Sequence, residues 1–257
     1  MKISIDGGIW QQIVKTAEVF LTELSINARE DGLYVSQQTA EKSTMIGVRI
    51  PKELCDTYEL AAPRELIVNL EHLVQATKPL KGIDTVVIEA ADGDNRLKIS
   101  GNMNKRERRF EIPLLSPETA SNVNRSEKDF SKMKFEVEIR ITQGALKALL
   151  KDVRALGGRV RVRAASGKLS LFVDEGQRTA ESTIEEGEEL ASMMFAEKVE
   201  LAEAVYPIIV LGQMFDMVED DKQSVIVSFA NKKPLLLEVV FGDIGKVFAV
   251  TTPMKVA

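Results

Sequence analysis

The 257-residue sequence is poor in the side chains from which most active sites are built, with one histidine, His72, and one cysteine, Cys55. A single histidine leaves nothing for a His-based nucleophile triad or a multi-histidine metal site. A single cysteine can neither close an internal disulfide nor form a thiolate cluster, and it suits a reducing, cytoplasmic compartment. His72 reads as a polar residue on a helix surface and Cys55 as a small, partly buried apolar one. No apolar run approaches the ~18 residues of a membrane span. The opening Met1-Lys2-Ile3-Ser4-Ile5-Asp6 alternates like a strand and lacks the apolar core of a secretory signal. A Gly-rich phosphate loop is missing too. Gly7-Gly8 lacks the further glycine and the Lys-Ser/Thr of a nucleotide motif, and Gly157-Gly158 follows its helix, so both pairs read as turns. Carboxylates are plentiful, but none has the spacing of a metal or acid/base motif. No catalytic residue, metal or cofactor is expected, and an α+β enzyme with an unrecognised site is the remote alternative. An excess of positive charge is also lacking: 34 Lys and Arg face 39 Asp and Glu, a formal charge of −5. Any basic surface must therefore be local.

What the chain does have is self-similarity. Four stretches share one grammar, an alternating strand, a short polar turn and a second strand opening with leucine: Ser25 to Ser36, Val86 to Ser100, Val160 to Leu171 and Val225 to Leu237. Their turns, Asp31-Gly32, Asp92-Gly93-Asp94-Asn95, Ser166-Gly167 and Asn231-Lys232-Lys233-Pro234, are those of hairpins. Upstream of each lies a helical pattern, and before that a short strand. The first helix has Ile9, Trp10, Ile13, Val14, Ala17, Phe20 and Leu21 on one face. In the second, Asn69 caps and Leu70, Leu73, Val74 and Thr77 form the stripe until Pro79. In the third, Thr142 caps and Leu146, Leu149, Leu150 and Val153 face inward. The fourth runs from about Ile208 to Glu219 on Leu211, Met214, Phe215 and Val218. Closing strands follow at Thr44 to Ile50, Lys105 to Ile112, Gln177 to Ile184 and Gly245 to Thr251.

The unit is thus βαβββ, present four times. A polar segment with Pro117 near its start, residues 114–132, separates an N-terminal domain, 1–113, from a C-terminal one, 133–257. Each domain is expected to be α+β, with two helices covering one face of strand-rich sheet. The outward helix faces then matter. The third helix shows a basic row, Lys147, Lys151 and Arg154, at i, i+4 and i+7. The first shows Gln11, Gln12, Lys15 and Glu18, and the second Gln75 and Lys78, followed by Lys81.

With Asp31-Gly32, Val68-Asn69-Leu70 and the closing run Lys233-Pro234-Leu235-Leu236-Leu237-Glu238, Gly242-Asp243-Ile244-Gly245 and Thr252-Pro253, the chain resembles the proliferating cell nuclear antigen family of archaea and eukaryotes. The resemblance covers nearly the whole length. It implies the DNA clamp fold, a trimeric ring of two-domain chains with helices lining the hole and sheets outside. Such a ring is a non-catalytic processivity factor, cytoplasmic in archaea and nuclear in eukaryotes, that slides along double-stranded DNA without reading its sequence. Its implied partners are a clamp loader and, through short peptide motifs, DNA polymerase, flap nuclease and ligase. DNA contact would fall to Gln11, Gln12, Lys15, Lys78, Lys81, Lys147, Lys151 and Arg154.

The subunit joint would pair the edge strand carrying Lys105, Arg106, Arg108, Arg109 and Phe110 with that carrying Arg178, Thr179, Ala180 and Glu181 in the next chain. The basic cluster of the first would meet Glu185, Glu186, Glu188 and Glu189 after the second. The peptide pocket would be lined by Met45, Val123, Pro234, Val250, Thr252 and Pro253, with Gln38 and Ser43 at its rim. Two features depart from the family. The linker, Ser116 to Lys128, holds only Ala120 and Val123 as apolar residues. The exposed side of the fourth helix shows Gln213, Asp216, Glu219 and Asp220 without a cation. A homotrimer leaning on the third helix and a paralogue acting in a hetero-trimer both fit that asymmetry.

Overall fold

The computed structural model of the chain describes residues 1–91, 93–103, 106–126 and 133–254. Of the residues named above, Asp92, Lys105 and Lys128 lie outside this set. The backbone gathers into two compact units, residues 1–126 with 240–247, and the described residues among 127–239 and 248–257.

The first unit opens with β1 (Lys2–Asp6), α1 (Gly7–Phe20), β2 (Glu23–Arg29), β3 (Gly32–Gln38), β4 (Thr44–Pro51) and β5 (Cys55–Glu59). Its second half is β6 (Arg64–Asn69), α2 (Leu70–Thr77), β7 (Thr85–Glu89), β8 (Arg96–Met103) and β9 (Arg106–Pro113), followed by the two-residue β10 (Asn124–Arg125). One sheet has the order β5-β1-β7-β8-β9, and β4-β3-β2-β6 run side by side in another. The second unit repeats the plan with β11 (Val137–Thr142), α3 (Gln143–Arg154), β12 (Arg159–Ala165), β13 (Lys168–Asp174), β14 (Thr179–Glu185) and β15 (Leu190–Phe195). Then come β16 (Leu201–Pro207), α4 (Ile208–Asp216), β17 (Ser224–Phe229), β18 (Leu235–Phe241) and β19 (Gly245–Thr251), of which residues 240–247 belong to the first unit. Here β14-β13-β12-β16 form one sheet and β15-β11-β17-β18 are neighbours in another. Every pairing within these sheets with a stated register is antiparallel, as hairpin-connected strands require.

The first and third repeats are one strand longer than the expected βαβββ. β5 and β15 fold back to pair with β1 and β11, the strands that open their repeats. Neither announces itself in the sequence, because Cys55-Asp56-Thr57-Tyr58-Glu59 has no clean alternation of apolar and polar residues.

Capping explains where three helices start. The Asp6 carboxylate accepts the Ile9 amide at 3.0 Å, Asn69 Oδ1 accepts that of His72 at 3.3 Å, and Thr142 Oγ1 that of Ala145 at 3.4 Å. α4 has Pro207 before it and no side-chain cap; instead the Ile208 amide donates to the Gly158 carbonyl at 3.0 Å. Gly7 and Gly8 are not a turn but the first two residues of α1. The reason is a close approach: the Gly7 amide donates to Asp84 O at 2.8 Å, and a β-carbon at Gly7 would lie 1.8 Å from Ile83 O. α4 also ends earlier than expected, at Asp216, with Met217 as its C-cap.

The helices bury most of the expected stripes: Ile9, Trp10, Ile13, Val14 and Ala17 on α1, where Phe20 and Leu21 are half-buried, and Leu70, Leu73 and Thr77 on α2, where Ala76 is buried in place of the half-buried Val74. On α3 the buried stripe is Leu146, Leu149, Leu150 and Val153, and on α4 Ile208, Leu211, Met214 and Phe215. Burying one such large aliphatic side chain stabilises the fold by about 1.5–3 kcal/mol. β12 shows the one-sided sheet plainly: Val160, Val162 and Ala164 are buried while Arg159, Arg161 and Arg163 are exposed. Arg161 pairs with Glu203 at 3.5 Å and lies over the Phe172 ring, keeping that outer face polar.

Candidate nucleic-acid interface and partner surfaces

In the second unit α3 packs against α4, which fixes the direction of α3's basic row. Lys151 and Arg154 are exposed, whereas Lys147 is half-buried. The Lys147 ammonium donates to the Val218 carbonyl at 2.9 Å and to Asp221 Oδ1 at 3.0 Å. Among the described residues the row is therefore two cations without an ion pair and one that is already engaged. A buried Gln143 ties the helices together by donating from Nε2 to Phe215 O. α4 exposes Gln213 and Asp216, with Glu219 and Asp220 beyond its end, and also Ile209 at 64% exposure. Ile209 stands at i relative to Gln213 and Asp216 at i+4 and i+7. Reading only the polar members of that face overlooked it.

In the first unit α1 packs against α2. The indole Nε1 of buried Trp10 donates to Thr77 Oγ1 at 3.3 Å, and Gln11 Nε2 donates to the Thr77 carbonyl at 3.3 Å. Gln11 thus joins the two helices. Gln12 is half-buried and donates to Thr16 Oγ1 at 3.0 Å, and Lys15 pairs with Glu18 at 3.5 Å. Past α2, Lys78 opens a 3-10 turn through Leu80, as Pro79 cannot continue the helix, and both Lys78 and Lys81 are exposed.

The two strands expected at a subunit joint are both sheet edges: among the described residues β9 pairs only with β8, and β14 only with β13. On β9, Arg106 and Arg109 are exposed and Arg108 and Phe110 half-buried. Arg109 pairs with Glu107 at 2.9 Å, and the Arg108 guanidinium donates to the Pro79 carbonyl. Phe110 lines a groove of about 310 Å³ with His72, Gln75, Ala76 and Ile112. Arg178 lies just before β14. Within the strand, Thr179 and Glu181 are exposed and Ala180 is half-buried. Ser182 Oγ donates to Asp152 of α3 at 2.7 Å. Of the acidic residues that follow, Glu185 pairs with Lys168 at 2.6 Å and Glu186 accepts the Met193 amide at 2.8 Å.

The described part of the linker is more structured than its composition suggests. Asn124 and Arg125 form β10 and pair with Gln38 and Gln37 at the end of β3. β3 is available there because its ladder with β2 runs only from Gly32 to Tyr34. The buried Gln37 side chain bridges the gap, accepting the Ser25 amide at 2.7 Å and donating to Glu23 O at 3.1 Å. Arg125 Nε then meets Glu65 Oε1 at 2.8 Å, and Ser25 Oγ donates to the same carboxylate. The Arg125 guanidinium, assisted by Ser25, holds the Glu65 carboxyl below the usual glutamate range, against a smaller opposing effect of burial. Asn122 N donates to Glu23 Oε2 at 2.8 Å, and Ser36 and Ser126 bond in both directions.

Of the residues expected around a peptide pocket, those of the first unit cluster near this attachment. Gln38 pairs in register with Met45, Met45 is buried, Ser43 precedes β4, and Val123 is half-buried beside Asn124. In the second unit Val250 is buried on β19, Thr252 is exposed, and Pro234 and Pro253 are half-buried. His72 is exposed on α2, and Cys55 is half-buried, its thiol pushed up to about 11 chiefly by burial.

Two units of duplicated βαβββ character, each with a helix pair packed beside antiparallel sheet that ends in an edge strand, define the α+β clamp fold. The relatives agree. No family model matches the chain. The DNA polymerase sliding clamp of Pyrococcus furiosus is 23% identical over 244 residues, 94% of this chain and 93% of that protein. The solved structure of the proliferating cell nuclear antigen, PCNA, from Thermococcus kodakaraensis superposes with a TM-score of 0.87 at 20% identity, covering 98% of this chain and 99% of that one. The A. fulgidus PCNA, solved with the C-terminal region of FEN-1 bound, gives 0.81 at 16% identity and covers 100% and 99%. The chain's resemblance to the proliferating cell nuclear antigen family thus spans nearly its full length, and its fold is that of the sliding clamps.

Proposed function

We propose that this chain is the subunit of a non-catalytic DNA sliding clamp, in which three copies close edge to edge around duplex DNA and hold other enzymes to it. One observation carries the reading: a full-length clamp fold in which β9 and β14, each at the edge of its sheet, lie one in each unit. A head-to-tail contact between unlike edges propagates from chain to chain and satisfies both rows of backbone groups once the ring closes. Arg106, Arg108, Arg109 and Phe110 on one side and Arg178, Thr179, Ala180 and Glu181 on the other form the joint. Lys15, Lys78, Lys81, Lys151 and Arg154, with Gln11 and Gln12 near them, present a sequence-neutral surface to phosphates. The linker attachment of the first unit, with Gln38, Ser43, Met45 and Val123, takes short peptides from polymerase, flap nuclease and ligase. The FEN-1 segment held by the A. fulgidus protein supports that assignment. A clamp loader opens the ring onto DNA, and the protein works in the cytoplasm.

The test combines size and topology. The pure chain is expected to run as a trimer and, once loaded on a nicked circular plasmid, to be released when the plasmid is linearised. A persistent monomer or dimer points to a mixed ring with other clamp chains. Retention that ignores linearisation overturns encirclement.

A further inference from the structure

The three cations of α3 differ in what their charge is free to do. Lys147 is committed twice over, to the Val218 carbonyl and to Asp221 Oδ1. Asp221 is itself held in place. Its carbonyl accepts the Gly144 amide at 2.8 Å, and the Gln143 amide donates to Gln223 O at 2.9 Å, so this loop takes up amides of the first turn of α3. A β-carbon at Gly144 would stand 3.1 Å from both Asp221 Cβ and its carbonyl oxygen, so the loop and the helix start are in close contact. For Lys147 to reach a phosphate it must give up two acceptors, one of them a main-chain carbonyl. An isolated surface ion pair is weak, but a lysine with only 30% of its side chain exposed and a second acceptor is not an isolated pair.

Lys151 and Arg154 end in no ion pair among the described residues. Arg154 is directed by its neighbour. A β-carbon built on Gly212 would lie 3.6 Å from Arg154 Cζ and Nη1 and 3.7 Å from Nη2, so the guanidinium rests on the bare backbone of α4. It thereby brings positive charge across a helix that has none of its own.

We infer that Asp221 withholds Lys147 from DNA, leaving Lys151 and Arg154 as the phosphate-contacting pair of this unit, with Gly212 giving Arg154 its path over α4. This rests on the reading of these helix faces as DNA-facing. The sequence row of three is, on this account, a pair plus an internal strut whose charge can be released.

The test is a titration of a short fluorescent duplex across a salt series, with the full-length protein and its variants checked first for trimer size. Lys147→Ala is expected to leave the salt slope unchanged. Asp221→Asn should raise affinity about two- to five-fold at low salt and steepen the slope by roughly 0.9 per chain, the value for one added phosphate contact. That gain should vanish in Asp221→Asn/Lys147→Ala. Lys151→Ala/Arg154→Ala should flatten the slope by roughly 1.8 per chain. A slope lost in Lys147→Ala, no change in Asp221→Asn, or a gain that persists without Lys147 each overturns the inference. An unchanged Lys151→Ala/Arg154→Ala variant instead rejects the DNA-facing reading of the helices.

Discussion

The two units follow one plan but spend their polar residues differently. In the first, the α1–α2 contact is secured from inside, by the buried Trp10 indole and Gln11 acting on Thr77, and the exposed charge is mixed, with Lys15 beside Glu18. In the second, the α3–α4 contact is secured partly from outside. Lys147 reaches across to Val218 and Asp221, and the exposed cations, Lys151 and Arg154, stand on α3 beside Asp152, while the end of α4 is acidic. Duplication preserved the buried stripes, whose spacing is dictated by helix geometry. It left the outward faces free to diverge, because a solvated side chain costs the fold little.

The largest effect is expected at the sheet edges. Phe110→Asp places a charge in the groove beside His72 and Ala76 and is expected to convert trimer to monomer in sizing experiments at micromolar concentration, a loss of more than about 2 kcal/mol per joint. Because Phe110 is only half-buried in the isolated chain, thermal stability of the monomer should change far less. Next comes the internal tie of the first unit. Thr77→Val leaves a buried indole N–H without its acceptor and should destabilise the fold by about 1–2 kcal/mol in denaturant titration. The matching exchange in the second unit has the opposite sign. At Gly212 the nearest atom to an added β-carbon is 3.6 Å away, ordinary contact distance, so Gly212→Ala should stabilise by about 0.5–1 kcal/mol. A bulkier Gly212→Leu should displace Arg154 and weaken duplex binding.

The smallest effect concerns the linker. Glu65 is held below its ordinary value, so its contribution is full above the unfolded value of about 4.5 and disappears as pH falls through the lower folded one. Amide exchange at residues 122–126 should accelerate over that acid window. Glu65→Gln should show the faster exchange already at neutral pH.

The legible part of the fold was the part set by local chemistry. Asn69 and Thr142 read as caps and are caps; the four hairpins fall where Asp31-Gly32, Gly93, Ser166-Gly167 and Lys232 turn the chain. β5, β10 and β15 were not legible, because their strand character comes from a partner far along the chain: β1 for Cys55–Glu59, Gln37 and Gln38 for Asn124–Arg125. At the candidate surfaces, residue type announced charge but not its availability. Lys147 and Lys151 look alike in a helical projection, and only the loop at Asp221 separates them. Gly7 illustrates the same gap, since nothing nearby in sequence signals the carbonyl of Ile83 pressed against it.

The free edges of β9 and β14 have one more consequence. Each is a rank of amides and carbonyls that every residue except proline supplies at the same interval. A seam of that kind is written in the polymer backbone and not in its decoration. Side chains along it can be exchanged, generation after generation, while the spacing that lets one copy meet the next stays constant. In the proposed ring, a chain 23% identical to the P. furiosus clamp and 20% identical to the T. kodakaraensis one would therefore join by its backbone alone, provided no imino acid enters mid-strand.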